Sequence, residues 1–386
     1  MLCYNYLILV KKPLFIILFL FFLFSLAFAI QLIDIGSLND KLKEIRKANL
    51  ELLEARYWTL LEGKTVQCQL CPNFCVLANG KKGRCGARIN VEGKLYTIVY
   101  GRPVAVHIDP IEKKPFTHFL PRTASFSIAT AGCNLGCIFC QNWQISQARP
   151  EDAQSMVLPP SEVVKLAKEY KCATIAYTYT EPTIFYEYML DTAKLAKLSG
   201  VKNVMHTCGY INPKPLKELL QYMDAVNVDL KGFSEEYYVQ MCSGHLEPVL
   251  ETIKQVKKSG AWLEITNLVV PGKNDDPKMI KAMCLWIKQN VGADTPLYFS
   301  AFTPQYRLTG VPPTPVKTLE DAAKIAKSIG LRYVYIGNVF GHAGESTYCP
   351  KCGKLVVKRI GFDTVEINLD DGKCKYCGYK IAGVWE

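Results

Sequence analysis

The 386-residue chain reads as an α/β protein: a partial (β/α) TIM-like barrel with a cysteine-rich segment before it and a zinc-ribbon-like module after it. Two observations predict this. From about Ser125 to Asn338 short apolar strands alternate with amphipathic helices, the pattern of a parallel sheet covered by helices. Eleven of the sixteen cysteines fall into three spaced groups, one at the start of the repeat and one on either side of it. The expected division is an apolar segment at 1–30, a helical connector at 31–65, a cysteine-rich module at 66–117, the barrel at 118–340 and the tail module at 345–386.

The hydrophobic fraction of 49% with 21% charged residues belongs to a folded chain rather than a disordered one. The formal charge of +11, from 46 basic and 35 acidic residues, invites a nucleic-acid partner. No dense basic run accompanies it, and lysines alternate with glutamates as on a solvated helix face, so no nucleic acid is expected. Cys3, Cys172, Cys208, Cys242 and Cys284 stand apart from the groups and read as buried thiols.

At the N-terminus, Leu14 to Ile30 is almost purely apolar, follows Lys11-Lys12 and ends in Ala27-Phe28-Ala29, a pattern suited to signal-peptidase cleavage. It equally suits a membrane attachment through residues 14–30, and a mistaken start site is the third reading. Length does not decide, because at about 1.5 Å per residue the block is marginal for a hydrocarbon core of about 30 Å. Ser37 is placed to cap a polar helix running to about Tyr57.

Cys68-x2-Cys71-Pro-x2-Cys75-x9-Cys85 supplies four thiolates, which close either a structural zinc site or a four-cysteine iron–sulfur cluster. Strand-like Leu95–Val99 follows it. The barrel strands are expected at Phe126–Ala131, Thr174–Thr178, Asn203–Thr207, Ala225–Leu230, Leu263–Val270, Leu297–Phe302 and Tyr333–Ile336. Helices are expected at Pro160–Tyr170, Ile184–Ser199, Lys214–Tyr222, Val249–Ser259, Pro277–Gln289 and Leu319–Ser328. Chemistry on such a barrel belongs at the C-terminal strand ends.

Gly132-Cys133-Asn-Leu-Gly-Cys137-Ile-Phe139-Cys140 follows the first of these strands and can turn three soft ligands toward one point. No fourth ligand lies within the loop, and His107 and His118 lie upstream, beyond the strand. Three ligands leave a metal position open, whether in a catalytic zinc site or a cluster. In the tail, Cys349-Pro-Lys-Cys352-Gly and Cys374-Lys-Tyr-Cys377-Gly form two knuckles separated by 21 residues, the spacing of a zinc ribbon. In an oxidising compartment the same thiols would pair as disulfides.

The loop CxxxCxxC with Phe139 before the last cysteine resembles the signature of radical S-adenosylmethionine enzymes. The chain from about Val66 to Trp385 resembles, more narrowly, the AmmeMemoRadiSam-system radical SAM enzymes, which are pyruvate formate-lyase activating enzyme-like. Cys68–Pro72, Gly132–Trp143, Tyr179–Glu187, Asp229–Lys231, Val311–Pro315, Gly337–Asn338 and Tyr348–Gly353 carry the likeness. It implies a radical SAM barrel in which Cys133, Cys137 and Cys140 hold a [4Fe–4S] cluster whose open iron takes S-adenosylmethionine. It further implies Phe139 near adenine, Glu181 on the methionyl ammonium, Asp229 and Lys231 near cosubstrate and substrate, and Asn267, Gly272, Gly337 and Asn338 as further contacts.

By the same likeness the activity is reductive cleavage of S-adenosylmethionine to a 5′-deoxyadenosyl radical that abstracts hydrogen from a protein or small molecule, glycyl-radical enzyme activation being one outcome. An electron donor such as flavodoxin or ferredoxin is then a partner, and the cytoplasmic face is the expected location. Two departures stand out: Thr207-Cys208-Gly209 replaces Thr-Asn-Gly, and Thr180 replaces an expected Asn. The alternative function is a zinc-stabilised nucleic-acid-binding protein without redox catalysis.

Overall fold

The computed structural model describes residues 52–386, and the apolar block at 14–30 lies outside them. Among the described residues no helix is long and apolar enough to cross a membrane. The centre is an eight-stranded sheet whose strands follow one another in chain order. These are β1 (Ala105–Pro110), β2 (Ala124–Ala129), β3 (Thr174–Tyr177), β4 (Lys202–Thr207), β5 (Ala225–Asp229), β6 (Trp262–Val269), β7 (Leu297–Ala301) and β8 (Val334–Gly337). Every neighbouring pair from β2 to β8 is parallel, whereas β1 runs antiparallel to β2, Ala105 opposite Ala129. Because β1 and β8 do not pair, the barrel is open, the partial form the sequence predicts.

The parallel strands are buried on both faces, which is why they read as continuous apolar runs: Thr174–Tyr177 is buried at every position. Helices α1 (Pro160–Glu169), α2 (Tyr186–Leu198), α3 (Pro213–Leu219), α4 (Leu246–Ser259), α5 (Pro277–Asn290) and α6 (Val316–Ile329) fill the connections. Three of them begin with proline at the first turn, where the missing N–H costs no helical bond, and Asp276 caps α5 through Met279 N–H.

Two findings depart from expectation. The helix expected to run to about Tyr57 is replaced over its last residues by strand: Leu53–Glu54 pairs with Lys94–Thr97, and Trp58–Leu60 pairs with Val66–Cys68. Strand pairing, distant for Leu53–Glu54 and within a hairpin for Trp58–Leu60, there outweighs the local helical pattern. Strand β1 was also unforeseen; His107, Asp109 and Pro110 give it the mixed composition of an edge strand.

The tail packs on the open barrel. Its strands β9 (Leu355–Ile360) and β10 (Asp363–Ile367) form a hairpin, and Arg359 donates to the carbonyl of Thr117 at 2.6 Å while Thr364 bonds Glu112 at 2.6 Å. Tyr298 of β7 and Tyr335 of β8 share one core with Cys349, Val356, Cys374 and Ile381 of the tail. The tail therefore touches both the β1–β2 connection and the last two strands.

Candidate active site

The C-terminal ends of the strands surround a cavity of about 920 Å³. Cys133, Cys137, Phe139 and Cys140 line it from the loop after β2, and Glu181 lines it from the turn after β3. Thr207 and Cys208 close β4, Asp229 and Lys231 close β5, and Gly337-Asn338 close β8 at the same cavity. The barrel thus gathers residues spread over two hundred positions of sequence at one edge of one sheet, as the (β/α) architecture dictates.

The three-cysteine loop is pinned from outside. Gly136 N–H donates to the carbonyl of Cys242 at 2.8 Å and Ile138 N–H to that of Met241 at 3.0 Å. Cys133 Sγ accepts from Leu135 N–H at 3.4 Å, and Cys140 Sγ lies 3.1 Å from the Ser146 hydroxyl. Burial pushes the Cys133 and Cys140 thiols up, and a hydrogen bond with the Cys242 thiol, followed by burial, does so for Cys137. Such thiols stay protonated without a metal and give up their protons to bind one. Three soft donors on one loop, facing a roomy cavity with no fourth cysteine in the loop, fit a [4Fe–4S] cluster with an open iron.

Glu181 is buried at the head of the short helical turn Pro182–Phe185, where its carboxylate accepts from Thr183 N–H at 3.1 Å. It is therefore a helix-capping residue as well as a cavity residue. One oxygen, Oε1, also accepts from the hydroxyls of Thr183 and Thr207, at 2.6 and 2.7 Å. The other, Oε2, accepts from Cys208 N–H at 2.7 Å, which leaves it room for a further donor. The Thr207-Cys208-Gly209 segment so holds Glu181 in place by backbone and hydroxyl, without an asparagine amide. Thr180 turns its hydroxyl to the carbonyl of Thr130 at 2.9 Å.

Lys231 Nζ lies 3.0 Å from Asp229 and 5.9 Å from the centre of the Phe139 ring. Burial raises the Asp229 carboxyl, but Lys231 and His206 beside it outweigh this and hold it well below the usual carboxylate range. Asp229 in turn keeps Lys231 charged despite its burial. Sequence reasoning missed His206, whose Nε2 lies 2.9 Å from Asp229; a polar residue one position before Thr207 at a strand end was the available signal.

Asn338 stands in the cavity wall with a left-handed φ of 60°, its amide on the carbonyl of Ala301 at 3.2 Å. Asn267 does not reach the cavity. Strand alternation points Thr266 and Leu268 inward and buries Asn267 on the other side, where its amide donates to the carbonyl of Leu230 at 2.7 Å. It supports the Asp229–Lys231 turn from behind. Gly272 sits in an exposed turn away from the cavity, its N–H on Asp275 at 2.8 Å.

The tail completes the wall. Arg359, Phe362 and Asp363 of its hairpin line the cavity together with Phe340, and none was anticipated as a site residue. Its four cysteines bring all their sulfurs within 4.8 Å of one another, with Cys349 and Cys377 3.6 Å apart and Cys352 and Cys374 3.7 Å apart. The glycine after each knuckle takes a φ of 70° and turns its N–H back to the first cysteine's carbonyl, Gly353 to Cys349 and Gly378 to Cys374. Four thiols this close could hold one metal ion. Of the upstream histidines, His107 sits on β1 and His118 is buried against the tail, bonding the carbonyl of Ala382 at 2.5 Å and the hydroxyl of Tyr335.

Comparison with known proteins fits this arrangement. The family model described as the Radical SAM superfamily matches residues 127–283. A Methanocaldococcus jannaschii protein named only as uncharacterized is 48% identical over 330 residues, covering 85% of this chain and 98% of its own. A pyruvate formate-lyase-activating enzyme of Clostridium pasteurianum is 22% identical over 162 residues, which cover 41% of this chain and 66% of that one. Among solved structures, a radical SAM methyltransferase from Sphaerobacter thermophilus aligns over 76% of this chain and 80% of its own, at 12% identity and a TM-score of 0.46. With the CxxxCxxC loop at the head of an open parallel barrel, the chain belongs to the radical SAM superfamily.

Proposed function

We propose that this enzyme cleaves S-adenosylmethionine reductively and uses the resulting radical to remove a hydrogen atom from a substrate entering the same cavity. The observation that carries this is the placement of Cys133, Cys137 and Cys140 on one wall of a cavity whose other walls hold Glu181 and the Asp229–Lys231 pair. When bound, a [4Fe–4S] cluster at the three thiolates would supply an electron and an open iron for the cosubstrate.

The residues divide the remaining work. Oε2 of Glu181, with one internal donor, offers a carboxylate to the methionyl ammonium. Phe139, buried at the cavity wall, gives adenine an apolar face. Lys231, anchored by Asp229, offers a fixed positive charge, and Asn338 adds an amide at the last strand. The tail cysteines would hold zinc and keep the Arg359–Asp363 edge against the cavity.

Anaerobic reconstitution, reduction and paramagnetic resonance with and without S-adenosylmethionine test the reading. A cosubstrate-dependent change in the cluster signal with formation of 5′-deoxyadenosine is expected; neither appearing would sink it.

A protein substrate is the second reading, favoured by relatives named as activating enzymes for pyruvate formate-lyase and for 4-hydroxyphenylacetate decarboxylase, at 22% and 23% identity. Co-expression with a glycyl-radical enzyme should yield a glycyl radical signal if activation is the outcome. Cosubstrate cleavage without that signal points to another substrate. The alternative of a nucleic-acid-binding protein without catalysis is set aside by membership of an enzyme superfamily.

A further inference from the structure

The spacing of sulfur atoms sorts the three cysteine sets into two kinds. One zinc ion bonded to four thiolates at about 2.3 Å draws the sulfurs to about 3.8 Å from one another. The tail set has that spacing, at 3.6 and 3.7 Å. Among the described residues, neither the triad Cys133, Cys137 and Cys140 nor the set Cys68, Cys71, Cys75 and Cys85 brings three sulfurs within 4.8 Å of one another. Like the triad, the N-terminal set therefore lacks the close spacing that a single zinc ion imposes.

Its sulfurs are not scattered. All four cysteines line one small cavity, together with Arg88 and Asn134. A Cβ built on Gly83 would meet the sulfurs of both Cys85 and Cys75, at 3.8 and 3.9 Å. Cys68 N–H bonds the carbonyl of Cys75 at 2.9 Å, which folds the Cys71 turn back over the strand.

Arg88, only 1% exposed and paired with Glu187 on its other side, donates Nη1 to Cys68 Sγ at 3.6 Å. No carboxylate lines this cavity.

The set also abuts the triad loop. Gly132, which precedes Cys133, sits so close that a Cβ there would fall 2.3 Å from the carbonyl oxygen of Cys85. Asn73 donates to the carbonyl of Asn134, the residue after Cys133, at 2.8 Å.

We propose that Cys68, Cys71, Cys75 and Cys85 hold a second [4Fe–4S] cluster, every iron of it bonded to a cysteine and therefore closed to S-adenosylmethionine, seated against the loop of the first. This goes beyond the activity proposed above and does not depend on cosubstrate cleavage.

The test is the metal content of the full chain after anaerobic reconstitution. The wild type should carry about eight iron and eight sulfide with one zinc, and the Cys133→Ala/Cys137→Ala/Cys140→Ala variant about four, four and one. The reduced triple variant should show a paramagnetic signal that S-adenosylmethionine leaves unchanged. Wild type with about four iron and two zinc, or an iron-free triple variant with two zinc, would overturn the proposal, as would a signal in the triple variant that moves with S-adenosylmethionine. Because the wild-type count stands by itself, the outcome does not hinge on how well the variant folds, and a failure to cleave cosubstrate leaves both counts unaffected.

Discussion

Glu181 shows how a single carboxylate serves structure and chemistry together. Its Oε1 takes three donors from Thr183 and Thr207, whereas Oε2 takes only Cys208 N–H. Glu181→Gln keeps the size but replaces the charge and one acceptor. It should weaken S-adenosylmethionine binding at least about tenfold, or about 1.4 kcal/mol, while iron content stays at the wild-type level. Equilibrium dialysis of the cosubstrate beside an iron assay checks this. That Cys133, Cys137, Cys140, Glu181 and Asp229-x-Lys231 would meet at one cavity was legible in the sequence because each lies at a strand end or in the loop after it. His206 was not, because its role comes from Asp229 on the neighbouring strand rather than from any pattern of its own. Asn267 failed for the opposite reason: it is one residue out of phase with the inward-facing positions of β6.

At the scale of elements, the parallel strands were readable because burial on both faces leaves apolar runs, and the helices because amphipathic faces and N-terminal prolines mark them. The strands at Leu53–Glu54 and Trp58–Leu60 were not, since the first pairs with distant Tyr96 and Thr97 and the second closes a short hairpin with Val66–Cys68 over residues that read as helix. Among the bonds that tie that module to the barrel is a buried ion pair, Arg88 on its strand Arg88–Val91 with Glu187 at the head of α2, side chains 1% and 3% exposed. Arg88 also donates to the carbonyl of Arg56 at 2.8 Å. Replacing Arg88 by methionine strands the carboxylate in the interior. It should cost about 3–5 kcal/mol, read as a lower denaturant midpoint, and Glu187→Gln in the same background should recover part of the loss. The triad loop has its own constraint, because Gly132 combines a φ of 107° with contact to Cys85. Gly132→Ala should displace the loop and lower iron retained after gel filtration, the assay being iron per chain.

For the whole molecule, the tail is part of the active-site wall rather than an appendage, a relation between residues about two hundred positions apart that no local pattern discloses. His118 lies in the seam, ringed by Trp262, Tyr333 and Trp385 and bonded to Ala382 and Tyr335. Burial pushes its imidazole down to about 3 from the usual 6.5. Between those values the unfolded chain binds a proton that the folded chain refuses. Stability contributed by the neutral ring is therefore complete above pH 6.5 and is lost as pH falls toward 3, at up to about 1.4 kcal/mol per pH unit. Denaturation curves across that range should show this slope in the wild type and a shallower one in His118→Gln.

The claim on which the functional account turns is that the cavity seats S-adenosylmethionine on the iron left open by Cys133, Cys137 and Cys140. Electron–nuclear double resonance on the reduced protein, with cosubstrate carrying nitrogen-15 in its amino group and oxygen-17 in its carboxylate, measures this directly. Hyperfine coupling of both nuclei to the cluster spin is the predicted result, and it should vanish in the triple cysteine variant. A cluster signal with no coupling to either nucleus under saturating cosubstrate would contradict the account.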